Sequence, residues 1–122
     1  MTFHPHSSKF GQPLRHFDAG VILNESNRRV IHRGSPYHPP KSGPSEILIA
    51  HVASVQRMDH VHWVLAELLF QDRKVAKAAH NMIAYRFWDS DRECLVSDND
   101  DDGEKGSGSK LAALLEMADA RN

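Results

Sequence analysis

From residue 45 onward the apolar positions alternate between two spacings, and each switch marks an element. Glu46–Val55 (EILIAHVASV) is rich in β-branched residues and lies between Gly43-Pro44 and Gln56-Arg57, which predicts a strand. Met58–Phe70 (MDHVHWVLAELLF) changes to helical spacing: Val61, Val64, Leu65, Leu68 and Leu69 fall at i, i+3, i+4, i+7 and i+8 on one stripe. Asp59 stands in its first turn, where a carboxylate favours the helix N-terminus. Gln71–Lys74 interrupts the stripe, and Val75–His80 predicts one short helical turn. Asn81–Trp88 (NMIAYRFW) alternates, with Met82, Ala84, Arg86 and Trp88 on one side and Ile83, Tyr85 and Phe87 on the other. Asp89-Ser90-Asp91-Arg92 is a turn and Glu93–Ser97 returns, so this pair predicts a hairpin. A polar loop over Asp98–Ser107 then leads into a helix over Gly108–Ala120, with Leu111, Leu114, Leu115 and Ala118 on one face. The order β-α-β-β-α places the chain in the α/β class, of the α+β kind. The expected architecture is a two-layer sandwich: a small mixed sheet with both main helices packed on one face.

The first 44 residues have no such pattern. They hold all six prolines, four of the seven glycines and five of the nine histidines. Proline fixes φ and removes a backbone donor, so this density opposes helix and central strand alike. Only Ala19–Leu23 and Val30–His32 are apolar, too little to bury a core. Residues 1–44 therefore read as a Pro/His-rich extended arm with short strand-like pieces, and 45–122 as the α/β domain. The arm carries six Lys/Arg against Asp18 and Glu25, whereas the remainder carries nine basic and fourteen acidic residues. The whole chain, at a net charge of -1, lacks the basic surplus of a domain built to coat a polyanion. Cys94 has no second cysteine to pair with, which fits a reducing cytoplasmic setting. No apolar run is long enough to span a membrane.

The acidic loop Asp98-Asn99-Asp100-Asp101-Asp102-Gly103 opens like an EF-hand calcium loop, in which alternate oxygen ligands precede a glycine. The likeness stops there: Ser109 occupies the place of the bidentate Glu, and a strand rather than a helix precedes the loop. Carboxylates near a helix N-terminus account for the loop more simply, and no metal is expected. His60 and His62, two apart on a helix, face different sides and cannot chelate one ion. Neither a nucleophile elbow nor a phosphate-binding glycine motif is present, and Cys94 has no adjacent histidine. The residues point to no catalytic constellation and no cofactor.

Two segments together resemble the signature of the Impact family, also called the YigZ-like family. Ala76-Lys77-Ala78-Ala79-His80-Asn81-Met82-Ile83-Ala84-Tyr85-Arg86 is similar to its A-x-A-T-H-N-x-x-A-Y-R, with Ala79 where Thr is usual. Asp101-Asp102-Gly103-Glu104, followed by Gly108-Ser109-Lys110-Leu111, is similar to its D-D-G-E-x-x-A-G-x-x-L. The resemblance covers residues 45–122. Family members run on into a further strand and an R-[WY]-[FY]-G-G motif, so 45–122 is expected to be the first half of that domain. The resemblance implies regulation rather than catalysis. Its eukaryotic members bind the ribosome-associated activator of the amino-acid-starvation kinase, restrain that kinase, and contact actin. The alternative is a small nucleic-acid-binding or metal-binding module, which the charge balance does not favour.

Partner contact is assigned to His80, Asn81, Tyr85, Arg86, Asp101, Asp102, Gly103 and Glu104. The hairpin from Asn81 and the loop after its second strand should end at the same sheet edge. With three strands and two striped helices, part of the Leu111/Leu114/Leu115 face should stay uncovered, making the chain marginally stable and prone to associate.

Overall fold

The computed structural model describes residues 19–40 and 47–119. The remaining parts of the arm, and the expected helix end at Ala120, lie outside the described residues. The central element is helix α2 (Met58–Gln71), which follows a helix α1 (Ala19–Leu23) in the arm. Helix α2 buries Val61, Leu65 and Leu69 of the expected stripe, and with them His60, Trp63 and Ala66, while Val64 and Leu68 sit at the margin. Asp72 ends it and starts the next helix. Its extended backbone (φ -113°, ψ 108°) cannot continue α2, and its side chain accepts from the N–H groups of Lys74 and Val75. That cap sets α3 at Arg73–Lys77 instead of the expected Val75–His80.

Strands β3 (Ile83–Asp89) and β4 (Cys94–Asp100) form the expected hairpin, in register from Ile83↔Asp100 to Asp89↔Cys94. Asp89 closes its turn by accepting from the N–H groups of Asp91 and Arg92 and from the Arg92 guanidinium. The loop expected from Asp98 begins only after Asp100. Ile83, Ala84 and Tyr85 offer ladder partners to Asp98–Asp100, and polar side chains do not prevent backbone pairing. Helix α4 (Ser107–Met117) follows.

The α+β class is the one expected, but the layering differs. Ile83, Tyr85 and Phe87 turn toward α2, where Phe87 joins Val55, Val61, Leu65 and Leu69 in the core. Helix α4 covers the other face, where the Arg86 Nη2 lies 3.6 Å from Asp119 Oδ1, just past the helix end. The two long helices thus flank the hairpin on opposite faces. The cause is in β3 itself: Ile83, Tyr85 and Phe87 on one side, and Ala84 and Trp88 around Arg86 on the other, give each face apolar surface to cover.

The strand expected over Glu46–Val55 shortens to β2 (His51–Val52), paired with β1 (His32–Arg33) of the arm. A bridge from Leu48 to Tyr37 and a bond from Gly34 N–H to the Ala50 carbonyl extend the pairing. Between the Arg33↔His51 and Tyr37↔Leu48 pairs the arm has three residues and its partner two, so the ladder falls out of register. Pro36, inside that gap, has no N–H to give. Among the described residues there are consequently two two-stranded sheets rather than one mixed sheet.

Part of the arm is also packed. After α1, Asn24 caps a 3-10 turn (Glu25–Asn27), and Asn27 is only 1% exposed. Its Nδ2 donates to the Val21 carbonyl, and its Oδ1 accepts from Arg57 Nη2 at 2.7 Å. Beside it, buried His60 accepts the Gln56 N–H on Nδ1 and has the Arg57 guanidinium against Nε2. Burial, together with Arg29 and Arg57, pushes the His60 pKa below its ordinary value, against the opposite pull of Asp59 and the Ser26 backbone. Burial lowers His51 too, opposed by Asp72 and reinforced by Arg33.

Both imidazoles are harder to protonate folded than unfolded, so the unfolded chain takes up protons first as the pH drops below 6.5. The stability they contribute is complete above that pH and is lost on acidification. Thermal melts at pH 7 and pH 5 are expected to show a lower midpoint at pH 5, and His60→Gln should reduce the difference. Leu114 and Met117, 61% and 82% exposed, leave α4 with an uncovered apolar edge. Light scattering after size exclusion should show association that grows with concentration and weakens in Leu114→Glu/Met117→Glu.

Candidate functional site

The hairpin register builds the site. Because Ile83 pairs with Asp100, the residues just beyond that rung, His80-Asn81 before β3 and Asp101–Glu104 after β4, come face to face. The Asn81 N–H donates to Asp102 Oδ2 at 2.8 Å, and its Nδ2 donates to the Val75 carbonyl at the end of α3. His80 Nδ1 lies 2.7 Å from the Asp102 carbonyl oxygen, which can only accept. Nδ1 is therefore the donor of that bond, and Nε2 lies 3.6 Å from Glu104 Oε2.

The carboxylates of the loop are mostly committed to its own backbone. Asp100 Oδ1 accepts the Asp102 N–H, and Asp101 Oδ2 accepts the Gly106 N–H. Ser107 Oγ donates to the Glu104 carbonyl at 2.6 Å. With Asp98 and Asp100 on β4, the EF-hand likeness is one of sequence, not of loop shape. No group of three or more His, Cys, Asp or Glu among the described residues is arranged to hold a metal ion.

Two glycines let the parts approach. Gly103 has φ +87°, and a Cβ there would lie 3.2 Å from His80 Nδ1, so the ring rests against a residue without a side chain. At Gly108 a Cβ would come within 2.8 Å of Asn99 Oδ1, the Asp100 carbonyl carbon and the Asp101 nitrogen. Helix α4 can start there only because nothing projects toward the end of β4.

The eight residues assigned to partner contact therefore divide. His80, Asn81, Asp101, Asp102, Gly103 and Glu104 form one turn-on-turn clasp, with His80 and Glu104 exposed on its surface. Tyr85 points to the core side, its ring 6.1 Å from that of Phe87. Arg86 lies on the α4 face, with Nε buried and without a hydrogen-bond partner among the described residues. Period-two alternation already separates Tyr85 from Arg86. The contact of Asn27, Arg57 and His60 was not legible, because some 30 residues separate its halves.

The Impact N-terminal domain family matches residues 45–122, a span that contains the whole clasp, and the chain belongs to that family. It is 40% identical over 73 residues to protein IMPACT of Rattus norvegicus, an alignment covering 60% of this chain and 23% of the rat protein. The protein IMPACT homolog of Schizosaccharomyces pombe is 41% identical over 83 residues, covering 68% of this chain and 29% of the yeast protein. Protein IMPACT of Homo sapiens is 37% identical over 73 residues, covering 60% and 22%. The chain thus spans less than a third of the length of these curated relatives. No solved structure matches it.

Gly103→Ala is expected to destabilise the fold by about 1–2 kcal/mol, from its positive φ and the push on the His80 ring. Gly108→Ala should cost more, about 2–3 kcal/mol, because backbone atoms stand in the way. Urea unfolding of both variants checks the order, which reverses if the His80 contact is the tighter constraint.

Proposed function

We propose that this chain regulates translation under amino-acid starvation by binding a protein. On this reading it occupies the ribosome-associated activator of the starvation kinase, without catalysis, and so restrains the kinase. The observation that carries the reading is the family match over residues 45–122, which takes in both segments that fold into the clasp. The clasp suits such a contact. Its interior is held by backbone bonds, while His80 and Glu104 face solvent. A cytoplasmic location and contact with actin belong to the same reading. No helix among the described residues is long and apolar enough to cross a membrane.

The test is a pull-down from cytoplasmic extract on the immobilised full chain, after nuclease treatment. Recovery of the activator is expected, with roughly tenfold less on His80→Ala/Glu104→Lys, as for a central interface pair. Added chain should also lower phosphorylation of the initiation factor by the kinase. If RNA is recovered instead, with a steep salt dependence, the nucleic-acid alternative replaces this reading.

A further inference from the structure

A cleft of about 450 Å³ lies where the arm and β2 meet the end of α2 and the start of α3. Its floor is apolar, with Ile31 from the arm and Leu68 from α2. Its rim carries three exposed cations, Arg33 of β1 and Arg73 and Lys74 of α3. None of the three forms an ion pair with another described residue, although five such pairs occur among the described residues, one of them between His51 and Asp72 of the cleft itself. Two carboxylates also line the cleft. Asp72 is committed, its Oδ1 accepting from the N–H groups of Lys74 and Val75 and its Oδ2 3.9 Å from His51 Nε2. Asp72 keeps its negative charge in these contacts, so with Glu67 the cleft sets two carboxylates against three cations, a surplus of one positive charge.

With an exposed rim the cleft cannot enclose a small metabolite, which needs most of its surface covered. A peptide lying across it needs less. One aliphatic side chain fits the apolar floor, and guanidinium groups bind carboxylates in a two-pronged fashion along the rim. We propose that this cleft docks an acidic peptide segment of a partner protein, with one aliphatic side chain over Ile31 and Leu68 and carboxylates held by Arg33, Arg73 and Lys74. None of these residues belongs to the His80–Glu104 clasp, so the cleft is a second contact surface. Arg33 and Ile31 come from the arm, so the surface exists only where arm and domain are joined.

Fluorescence anisotropy on the full chain tests this, using a dye-labelled twelve-residue Glu/Asp peptide with a central Leu. A Lys-for-Glu copy of the peptide serves as control. The acidic peptide is expected to bind, to weaken with added salt, and to lose about tenfold in affinity in Arg33→Glu and again in Arg73→Glu/Lys74→Glu. Replacing the central Leu by Ser should weaken it as well. Circular dichroism checks that these exposed-residue variants stay folded. The inference is overturned if the acidic peptide shows no binding up to about 1 mM, a bare −4 kcal/mol. Equal binding of the Lys peptide, unaltered binding by the charge-reversal variants, or tighter binding of an RNA oligonucleotide at the same residues would also overturn it. His80→Ala/Glu104→Lys should bind the peptide like the unaltered chain, so failure of the cleft and failure of the clasp are read separately.

Discussion

Phe87, 1% exposed, is the only hairpin side chain in the buried cluster formed by Val55, Val61, Leu65 and Leu69. The two small ladders share no strand, so no continuous sheet joins the hairpin to the rest of the chain. What fastens β3, β4 and α4 to α2 is one aromatic ring, with Ile83, Tyr85 and Val96 packed around it. Truncating such a Phe to Ala costs about 3–5 kcal/mol, a large share of the stability of a chain this size. The facing follows from the joint: with Phe87 toward α2, Arg86 must face α4. The turn closed by Asp89 then sets Ile83 opposite Asp100, so that His80-Asn81 meets the loop that leaves β4.

Polar groups then finish what the core begins. Asp72, Asp89, Asp100, Asp101 and Asp102 each accept a backbone N–H, ending a helix or closing a turn. This use of carboxylates explains how an acidic loop can be well ordered with no metal in its account. Basic groups act differently. Arg57 is drawn inward to Asn27, while Arg33, Arg73 and Lys74 stay exposed around the cleft, with no ion-pair partner among the described residues. The clasp is thus a surface shaped by its own hydrogen bonds, and the cleft is one rimmed by exposed cations.

Much of this was legible in local spacing. The helix over Met58–Phe70, the hairpin, the final helix and the closeness of His80, Asn81 and Asp101–Glu104 all depend on short-range periodicity and on turn residues. The helices and turns are read within a dozen positions, and the hairpin they imply then brings together residues about 20 apart. The motif segments of the Impact family lie in the same region, and the family match confirms that membership. What local spacing lacked was any measure of how strongly distant segments pair. The long strand expected from Glu46 and the single sheet both presumed a partner that the chain does not supply in register.

The sequence by itself determined the helix over Met58–Phe70, the hairpin and the final helix, the α+β class, and the two turns that form the clasp, because each is encoded by neighbours in the chain; the elements of the arm it did not. Only the tertiary structure decided that α2 and α4 lie on opposite faces of the hairpin. It also decided which of the two faces, that of Tyr85 or that of Arg86, meets α2, and that α1 and Asn27 of the proline-rich arm dock beside His60. These outcomes turn on which buried surface each face finds and on bonds between residues about 30 apart. Such contacts form after a loop has closed, at an entropic cost that no local pattern records.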